Sequence, residues 1–235
     1  MSPRHLRGYW YVPGLLYDLA FRRMFRGLRR RVARTVEKER LYPWLDVCSG
    51  TGDQLRRWVE LRGHVPMVCV PGRELENIAI GLDLGFGFVR YAMARAPEVP
   101  FVCGDAGRLP FRAGSMRAVS VSFALHDKSP ELRRAIITEA RRMLMPEGRL
   151  IAVDFENPWD ARSRIGTLFT RAIERFARGD HYRNGREFLR HGGLRAFLRE
   201  NGFAEVSRRD VPVGSLGVVV ARVGHVSACD LPVAE

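Results

Sequence analysis

The first regular pattern in the chain is a helical repeat of apolar residues between Leu15 and Val36. Apolar side chains recur at spacings of three and four residues, so they share one face of a helix. Seven arginines crowd the remainder of this segment. The pattern therefore predicts a basic amphipathic helix in the N-terminal segment, residues 1–40. Its apolar face consists of Tyr17, Phe21, Met24, Phe25, Leu28, Val32 and Val36.

From residue 41 onwards, short apolar runs alternate with helical patterns. Strands that alternate with helices build a parallel sheet with helices on both faces, so we expect one α/β domain over residues 41–226. The predicted strands are Trp44–Val47, Ile78–Leu82, Pro100–Cys103, Ala118–Leu125 and Arg149–Phe155. The predicted helices are Gln54–Leu61, Phe88–Arg95 and Pro130–Leu144.

Residues 159–200 carry the pattern of two further helices, which we expect to form a lid over the substrate region. An apolar stripe from Ile165 to Phe176 marks the first of them. The second covers residues 185–200, with an interruption at Gly192 and Gly193, because paired glycines break a helix.

Two β patterns, at Ala204–Val211 and Leu216–Val223, close the domain. The short turn between them, Pro212–Ser215, predicts an antiparallel hairpin within residues 203–224. Residues 227–235 are expected to form a loose tail.

The overall composition is that of a soluble globular domain. Of 235 residues, 46% are hydrophobic and 28% are charged. No apolar run reaches the length of a membrane span, and the stretch from Tyr9 to Ala20 lacks the features of a cleaved signal peptide. The four cysteines form no CxxC pair, so we expect neither a metal site nor a redox motif. This cysteine use fits a reducing cytoplasm.

The net charge of +13 raises the question of a nucleic-acid partner. Of the 39 basic residues 37 are arginine, a bias that GC-rich coding produces without any binding requirement. Residues 1–40 carry eleven basic residues against three acidic ones, so the rest of the chain is closer to neutral. Charge is only a weak prior, and a nucleic-acid substrate is disfavoured.

The stretch LDVCSGTGD, Leu45–Asp53, follows the first predicted strand and leads into a helix. Gly50 and Gly52 allow a tight turn and a close approach of the backbone to a ligand. The free amides at the start of the following helix would face that ligand. Many nucleotide-binding proteins share such a turn, so it is weak evidence when taken alone.

Carboxylates follow the next two predicted strands. Asp83 stands in GLDL, where a carboxylate can accept both hydroxyls of a ribose, as in Rossmann-type sites. Asp105 stands in CGDA, 22 residues further on and one strand over, in a position to meet an adenine amino group. Together with the glycine turn, the two carboxylates predict a binding site for an adenosine-containing ligand.

The run from Leu45 to Phe155 resembles the class I methyltransferases that use S-adenosylmethionine (SAM). It is most similar to ubiquinone/menaquinone-biosynthesis C-methyltransferases and their "type 11" relatives. The matching stretches are LDVCSGTGD, AIGLDLGFGFVRYA, VPFVCGDAGRLPF and SVSFALHDKSPELRRAIITEARRMLMPEGRLIAVDF. The resemblance implies a Rossmann-like fold with seven strands in the order 3-2-1-4-5-7-6, mostly parallel with a C-terminal antiparallel hairpin.

The resemblance also implies SAM as the cofactor and assigns its contacts by position. Asp46, Gly50 and Gly52 would hold the methionine part, and Ser49 and Thr51 belong to the same cofactor-binding turn.

The remaining implied contacts lie on the following strands. Asp83 would bind the ribose, with Leu84 against the adenine. Asp105 and Ala106 would read the adenine edge. The residues implied near the sulfonium and over the cofactor are Ser122, Phe123 and Tyr17.

One departure from the pattern concerns the spacing between the glycine turn and the ribose carboxylate. Asp83 follows Gly52 by 31 residues, whereas about 20 are expected of a βαβ unit of this kind. An insertion near residues 63–78 accounts for the excess. Glu74 is the rival ribose ligand, although Ile78–Tyr91 matches the family pattern better.

Three residues are candidates for the chemistry beyond cofactor binding. Methyl transfer needs mainly positioning of the nucleophile, and a base helps where the nucleophile loses a proton. His126 follows the fourth strand at the edge of the sheet where ligands bind. His181 and Tyr182 lie between the two late helices. Each of the three has an alternative structural role, as a hydrogen-bonded loop residue or as a packing group of the lid.

The function predicted is methyl transfer from SAM to a small molecule, possible acceptors being aromatic or lipid-like quinone precursors. An RNA or protein methyltransferase is the first alternative, and a non-catalytic partner protein with a SAM-binding fold is the second. For the N-terminal helix, three interpretations stay open: packing over the cofactor site, peripheral contact with an anionic membrane surface, or contact with RNA. The oligomeric state is left open.

Overall fold

The computed structural model describes residues 14–63, 77–157, 180–211 and 216–224, with backbone alone at 14–24 and 209–211. Several expectations lie outside the described residues and stay predictions. These are the side chain of Tyr17, Glu74 with most of the 63–78 insertion, the helix at Ile165–Phe176, the turn at Pro212–Ser215 and the tail 227–235.

Helices and strands alternate along the described chain as the sequence pattern predicts. The helices are α1 (Gly14–Glu39), α2 (Asp53–Arg62), α3 (Phe86–Arg95), α4 (Pro130–Met143), α5 (Asp180–Arg190) and α6 (Gly193–Glu200). The strands are β1 (Trp44–Val47), β2 (Ala79–Asp83), β3 (Phe101–Cys103), β4 (Met116–Ser122), β5 (Leu144–Phe155), β6 (Phe203–Val211) and β7 (Leu216–Val223).

The seven strands form one sheet in the order β3-β2-β1-β4-β5-β7-β6, which confirms the predicted topology. Strands β1 to β5 pair in parallel, and β7 runs antiparallel to both of its neighbours. The chain builds outwards from β1 to β3 and then returns to place β4 on the other side of β1. This reversal puts a crevice at the carboxyl ends of β1 and β4, where open α/β sheets bind their ligands.

The central strands are buried because helices cover both faces of the sheet. All four residues of β1 are buried, as expected for a parallel strand covered on both faces. On α1, the buried side chains of Leu28, Val32 and Val36 confirm the predicted apolar face. This face anchors α1, which packs beside α2 at the glycine-turn edge of the sheet.

Three predicted boundaries differ from those in the structure by three residues or more. Strand β4 ends at Ser122 and not at Leu125, because Phe123 has a φ of 57° and turns the chain. Strand β5 begins at Leu144, five residues before the predicted Arg149. Helix α5 begins at Asp180, so the residues expected between two helices lie in its first turn.

Gly192 and Gly193, with φ values of 97° and 71°, separate α5 from α6, as their pairing in the sequence predicted. None of the described helices is long and apolar enough to cross a membrane. Among the described side chains, no group of three His, Cys, Asp or Glu residues is placed to hold a metal ion.

Candidate active site

The turn after β1 is built from residues in the left-handed region of backbone space. Gly50 has a φ of 54° and Gly52 a φ of 70°. A Cβ atom on Gly50 would meet no atom within 4 Å, whereas one on Gly52 would lie 2.8 Å from side-chain atoms of Ala92 and Phe101. Gly52 is therefore required by packing, and Gly50 lies beside open space.

Asp83 ties the end of β2 to this turn. Its Oδ2 accepts a hydrogen bond from the amide of Gly50 at 2.8 Å, and its Oδ1 accepts one from the amide of Gly85 at 2.8 Å. Burial raises the pKa of Asp83, although both amides oppose the shift. The carboxylate therefore points at the glycine turn from the neighbouring strand, which is the arrangement expected from the sequence.

A cleft opens at the carboxyl ends of β1 and β4. Six of its lining residues were predicted as cofactor contacts: Asp46, Ser49, Gly50, Thr51, Ser122 and Phe123. Three were not predicted: Arg29, Cys48 and Gln54. Gly52 does not line the cleft, so its place in the motif reflects the packing of the turn.

Asp46 forms the floor of the cleft, where its side chain meets only uncharged hydrogen-bond donors. Its Oδ1 accepts from Gln54 Nε2 at 2.7 Å and from the hydroxyl of Ser120 at 2.6 Å. The Ser120 oxygen in turn accepts from Trp44 Nε1 at 2.7 Å. Burial raises the pKa of Asp46 to about 7, because these donors compensate only part of the lost hydration.

Gln54 extends this network to the wall of the cleft. Its Oε1 accepts a hydrogen bond from the hydroxyl of Ser122 at 3.0 Å. The Ser122 proton is therefore directed away from the cleft, and the oxygen presents its lone pairs to a ligand. Gln54 was missed in the sequence, where it reads as an ordinary first-turn residue of a helix.

Arg29 brings a buried positive charge to the cleft from α1. It is 8% exposed and binds Asp53 Oδ2 through Nη1 at 3.2 Å. Burial alone would raise the pKa of Asp53, but Arg29 and two further arginines outweigh it and lower the pKa. The burial of Arg29 was not predicted from the sequence, where it is one of several arginines on a basic amphipathic helix. Its position beside Leu28 and four residues after Phe25 is the signal that could have revealed it.

The predicted adenine contacts lie at the open end of β2 and β3. Leu84 is 46% exposed, and Asp105 is exposed with its Oδ1 accepting from the amide of Gly107 at 2.8 Å. The amide of Gly104 donates to the carbonyl of Asp83 at 2.9 Å and holds the two strand ends together. Ala106 is buried behind them. These residues do not line the described cleft but continue its edge beyond Asp83.

On the opposite side, His126 forms a buried pair with Asp154, the penultimate residue of β5. Its Nδ1 lies 2.6 Å from Asp154 Oδ1, and its ring packs on Phe155 with centroids 4.2 Å apart. The amides of Leu125 and Phe155 also donate to Asp154, each at 2.8 Å. Burial would raise the pKa of Asp154, but His126 reverses the effect and lowers it. His126 lies three residues beyond Phe123 and does not itself line the cleft.

His181, in the first turn of α5, faces His126. The two ring centroids are 5.4 Å apart, with the planes nearly perpendicular. His181 Nε2 lies 3.7 Å from a carboxylate oxygen of Asp127. Burial and the neighbouring His126 lower the pKa of His181. The ring of Tyr182 lies instead against Arg186, whose guanidinium is 5.7 Å from the ring centroid.

Arg133 fastens α5 to the loop that carries His126. Its Nε donates to the carbonyl of Leu125 at 2.7 Å, and one of its terminal nitrogens donates to the carbonyl of Asn184 at 2.8 Å. The Asn184 side chain returns a hydrogen bond to the carbonyl of Asp127 at 3.0 Å. The position of His181 relative to His126 is therefore fixed by hydrogen bonds between the loop and the helix.

The sequence from residue 45 to residue 152 matches a family model described as "Methyltransferase domain". A demethylmenaquinone methyltransferase of Beutenbergia cavernae is 40% identical over 79 residues, which cover 34% of this chain and 32% of that protein. A ubiquinone/menaquinone biosynthesis C-methyltransferase of Paraburkholderia phymatum is 26% identical over 222 residues, which cover 88% of this chain and 86% of that protein. The match to the Beutenbergia protein thus spans only about a third of its length.

Solved structures show the same fold. The PH0226 protein of Pyrococcus horikoshii superposes with a TM-score of 0.58 at 16% identity, over 86% of this chain and 91% of that one. The family match, the strand order and the glycine turn together define the class of protein. The chain carries a class I SAM-dependent methyltransferase domain, distantly related to the quinone-biosynthesis methyltransferases.

Proposed function

We propose that this protein transfers a methyl group from SAM to a small aromatic acceptor of the quinol type. The observation that carries the proposal is the hydrogen bond from the Gly50 amide to Asp83, since it brings the carboxylate that we assign to the ribose beside a cleft with Asp46 at its floor. When bound, SAM supplies an electrophilic methyl group on a sulfonium. The tasks of this chain are to bind the donor, to orient the acceptor and to accept a proton.

The lining groups of the cleft fit the chemical groups of SAM. Asp46, Ser49, Gly50 and Thr51 surround the space assigned to the methionine part, and a buried Ser49 hydroxyl has no partner in the described structure. A ligand would satisfy this hydroxyl, since buried polar groups are rarely left unpaired.

The other donor contacts follow the edge of the sheet. We assign the ribose to Asp83, the adenine face to Leu84 and the adenine edge to Asp105 and Ala106. Ser122 and Phe123 lie where the sulfonium would be. Tyr17 is proposed to cap the donor from α1; this rests on the sequence pattern, since its side chain is outside the described residues.

The pair of His126 and Asp154 is proposed as the proton acceptor. The lowered pKa of Asp154 keeps it ionised, so it accepts a hydrogen bond from Nδ1–H of His126 and favours the tautomer whose basic nitrogen is Nε2. A phenolic hydroxyl of the acceptor would lose its proton to His126 and so increase electron density at the ring carbon that takes the methyl group. His181 and Tyr182 are assigned to the acceptor side, His181 as the neighbour that faces His126.

The quinol acceptor is suggested by the names of the relatives, which act on quinone precursors. A planar aromatic acceptor also suits the aromatic pair of Phe25 and Phe123, whose ring centroids are 4.1 Å apart at the edge of the cleft. An RNA or protein acceptor, or a partner role without catalysis, remains an outcome that the experiments below distinguish.

The test of donor binding is isothermal titration with S-adenosylhomocysteine. Asp83→Ala removes the carboxylate that binds the ribose and the acceptor that holds Gly50, so affinity is expected to fall by about 100-fold or more. Glu147→Ala changes an exposed carboxylate away from the cleft and serves as the matched control. Absence of binding by the wild-type protein at high concentration would sink the proposed function.

The test of proton transfer is a methylation assay with radiolabelled SAM and a reduced naphthoquinone that lacks its ring methyl group. His126→Gln is expected to lower kcat by about 100-fold or more, while S-adenosylhomocysteine affinity stays the same. His191→Gln, which alters an exposed histidine just after α5, is the control. Equal activity of the two variants would show that His126 is structural.

A peripheral membrane contact through α1 is proposed together with the lipid-like acceptor. Arg26, Arg30, Arg34 and Lys38 are all exposed and lie four residues apart, so they form one basic row along the helix. Such a row attracts anionic lipid headgroups by about 1 kcal/mol for each basic residue near the surface.

Sedimentation with vesicles tests this contact. Binding to vesicles rich in phosphatidylglycerol, and not to phosphatidylcholine vesicles, is expected and should weaken with salt. Arg30→Glu with Arg34→Glu should abolish it, whereas Arg134→Glu with Arg141→Glu on the exposed side of α4 should not. Preferential, salt-dependent binding of RNA by the wild-type protein would favour the RNA alternative.

A further inference from the structure

Helix α1 lies outside the segment that matches the methyltransferase family, yet it reaches the cleft at two points. Phe25 stacks on Phe123, which follows β4, with ring centroids 4.1 Å apart. One helical turn later, Arg29 binds Asp53, the first residue of α2, at 3.2 Å. Because residues four apart share one face of a helix, this face spans the cleft from the β4 side to the α2 side.

Among the described side chains, the charges around Arg29 do not balance. Asp53 is shared by Arg29, Arg56 and Arg57, and Glu60 pairs with Arg56 and Arg57. Three guanidinium groups therefore face two carboxylates. A guanidinium keeps its charge in any protein environment, so one positive charge of this cluster lacks a matching carboxylate.

Through Arg29, the surplus positive charge of this cluster lies at the wall of the cleft. Of the three arginines, only Arg29 lines the cleft, where its neighbours are Ser49, Gly50 and Gln54. Its bond to Asp53 uses Nη1, and Arg56 and Arg57 satisfy Asp53 from the other side. A buried cation at the wall of a cleft is stabilised most strongly by a carboxylate, to which a guanidinium offers two parallel N–H donors.

We propose that Arg29 is the residue that recognises the α-carboxylate of the methionine part of SAM, and that α1 thereby completes the cofactor site. The assignment rests on the proposed function. Asp46 lies on the floor of the same cleft and offers an acceptor for the neighbouring α-ammonium group. The guanidinium of Arg29 would thus meet the carboxylate of the methionine part, and Asp46 would meet its ammonium group.

This assignment predicts selectivity between two donors that differ only in the carboxylate. Decarboxylated SAM keeps the ammonium, the sulfonium and the adenosine but lacks the group that Arg29 would bind. The wild-type protein should bind SAM about 10- to 100-fold more tightly than decarboxylated SAM, since a hydrogen-bonded charge pair contributes on that scale.

The test is isothermal titration of both ligands into wild type, Arg29→Gln, Arg29→Lys and Arg30→Gln. Arg29→Gln should lower SAM affinity by about 10- to 100-fold, leave that of decarboxylated SAM unchanged within about 3-fold, and so remove the selectivity. Arg29→Lys keeps the charge without the planar fork and should be intermediate. Arg30 is exposed, and its variant should behave as wild type.

The possible results of these titrations distinguish a role of Arg29 in binding the carboxylate from a general loss of stability. The ratio of the two affinities does not change if Arg29→Gln merely loosens the fold, and Asp53 keeps two other arginines in that variant. An equal loss of affinity for both ligands would overturn the role of Arg29 while leaving the proposed function intact. Failure of the wild-type protein to bind either ligand would overturn both.

Discussion

Two buried aspartates, one at the floor of the cleft and one near the end of β5 outside it, differ in the partners that the fold gives them. Asp46, in β1, receives hydrogen bonds from the neutral groups of Gln54 and Ser120, both on Oδ1. Asp154, in β5, is paired with His126 and uses both oxygens, which also accept hydrogen bonds from three backbone amides. Burial raises the pKa of Asp46 to about 7, whereas the pKa of Asp154 is lowered.

The difference shows that burial does not by itself decide whether a carboxylate is charged. Among the described residues, only uncharged groups donate hydrogen bonds to Asp46, which fits the proposal that it receives a cation from a ligand, such as the ammonium of the methionine part. With His126 beside it, Asp154 stays ionised at neutral pH and orients the imidazole. In the proposed function, Asp46 therefore serves ligand binding, and the pair of His126 and Asp154 serves proton transfer.

The largest effect is expected for Asp154→Asn. Both oxygens of Asp154 accept hydrogen bonds, so an amide of the same shape must place an NH₂ group against a donor. Removing one partner of a buried charge pair costs about 3–5 kcal/mol of unfolding free energy, which urea denaturation at neutral pH would measure. A loss below about 1 kcal/mol would contradict the ionised pair.

The pH dependence of stability should separate the two aspartates. An unfolded aspartate titrates near pH 4, so between about pH 4 and 7 the folded state holds a proton on Asp46 that the unfolded state has lost. The stability contributed by Asp46 is therefore present at low pH and is lost, by roughly 1.4 kcal/mol per pH unit, as the pH rises towards 7.

Asp46→Asn keeps an oxygen for Gln54 and Ser120 and removes the titration, so the decline between pH 4 and 7 should be smaller in this variant. The contribution of Asp154 to the free energy of unfolding depends on pH in the opposite sense. It is present above the pKa of the unfolded state and is lost as the pH falls through the lowered pKa of the folded state. Denaturation curves at several pH values, measured without ligand, would check both slopes. An unchanged slope in Asp46→Asn would show that Asp46 has an ordinary pKa.

The smallest effect is expected for Ser120→Ala. The change removes a donor to Asp46 and leaves Trp44 Nε1 without its acceptor, at a cost of about 1–2 kcal/mol. Because Ser120 holds the pKa of Asp46 down, the alkaline end of the stability decline should move to higher pH. Thermal denaturation monitored at two pH values would detect both changes, and Ser115→Ala, at an exposed turn, is the control.

The residues that the sequence predicted best are those whose role depends on backbone near them in the chain. The glycine turn, the two strand-end carboxylates and the break at Gly192 and Gly193 follow from turn chemistry and from the period of the apolar pattern. The residues that were missed from the sequence form hydrogen bonds to residues on other strands or loops. Asp154 and Ser120 were visible only as polar residues inside apolar runs, and nothing in those runs indicated their partners.

Arg29 shows why the rest of the site could not be predicted. In the sequence it is one of many arginines on a basic helix, and its burial depends on how α1 lies against α2. Gly52 was assigned to the cofactor from the motif. In the structure a glycine is needed there because Ala92 and Phe101 pack against the turn.

The sequence by itself determined the alternation of strands and helices, the strand order through the resemblance, and the class of the domain. These follow from short-range periodicity and from motifs that are contiguous in the chain. Only the tertiary structure decided which charges are buried and what each one meets. The bonds of Arg29 to Asp53, of His126 to Asp154 and of Ser120 to Asp46 join residues 24, 28 and 74 positions apart.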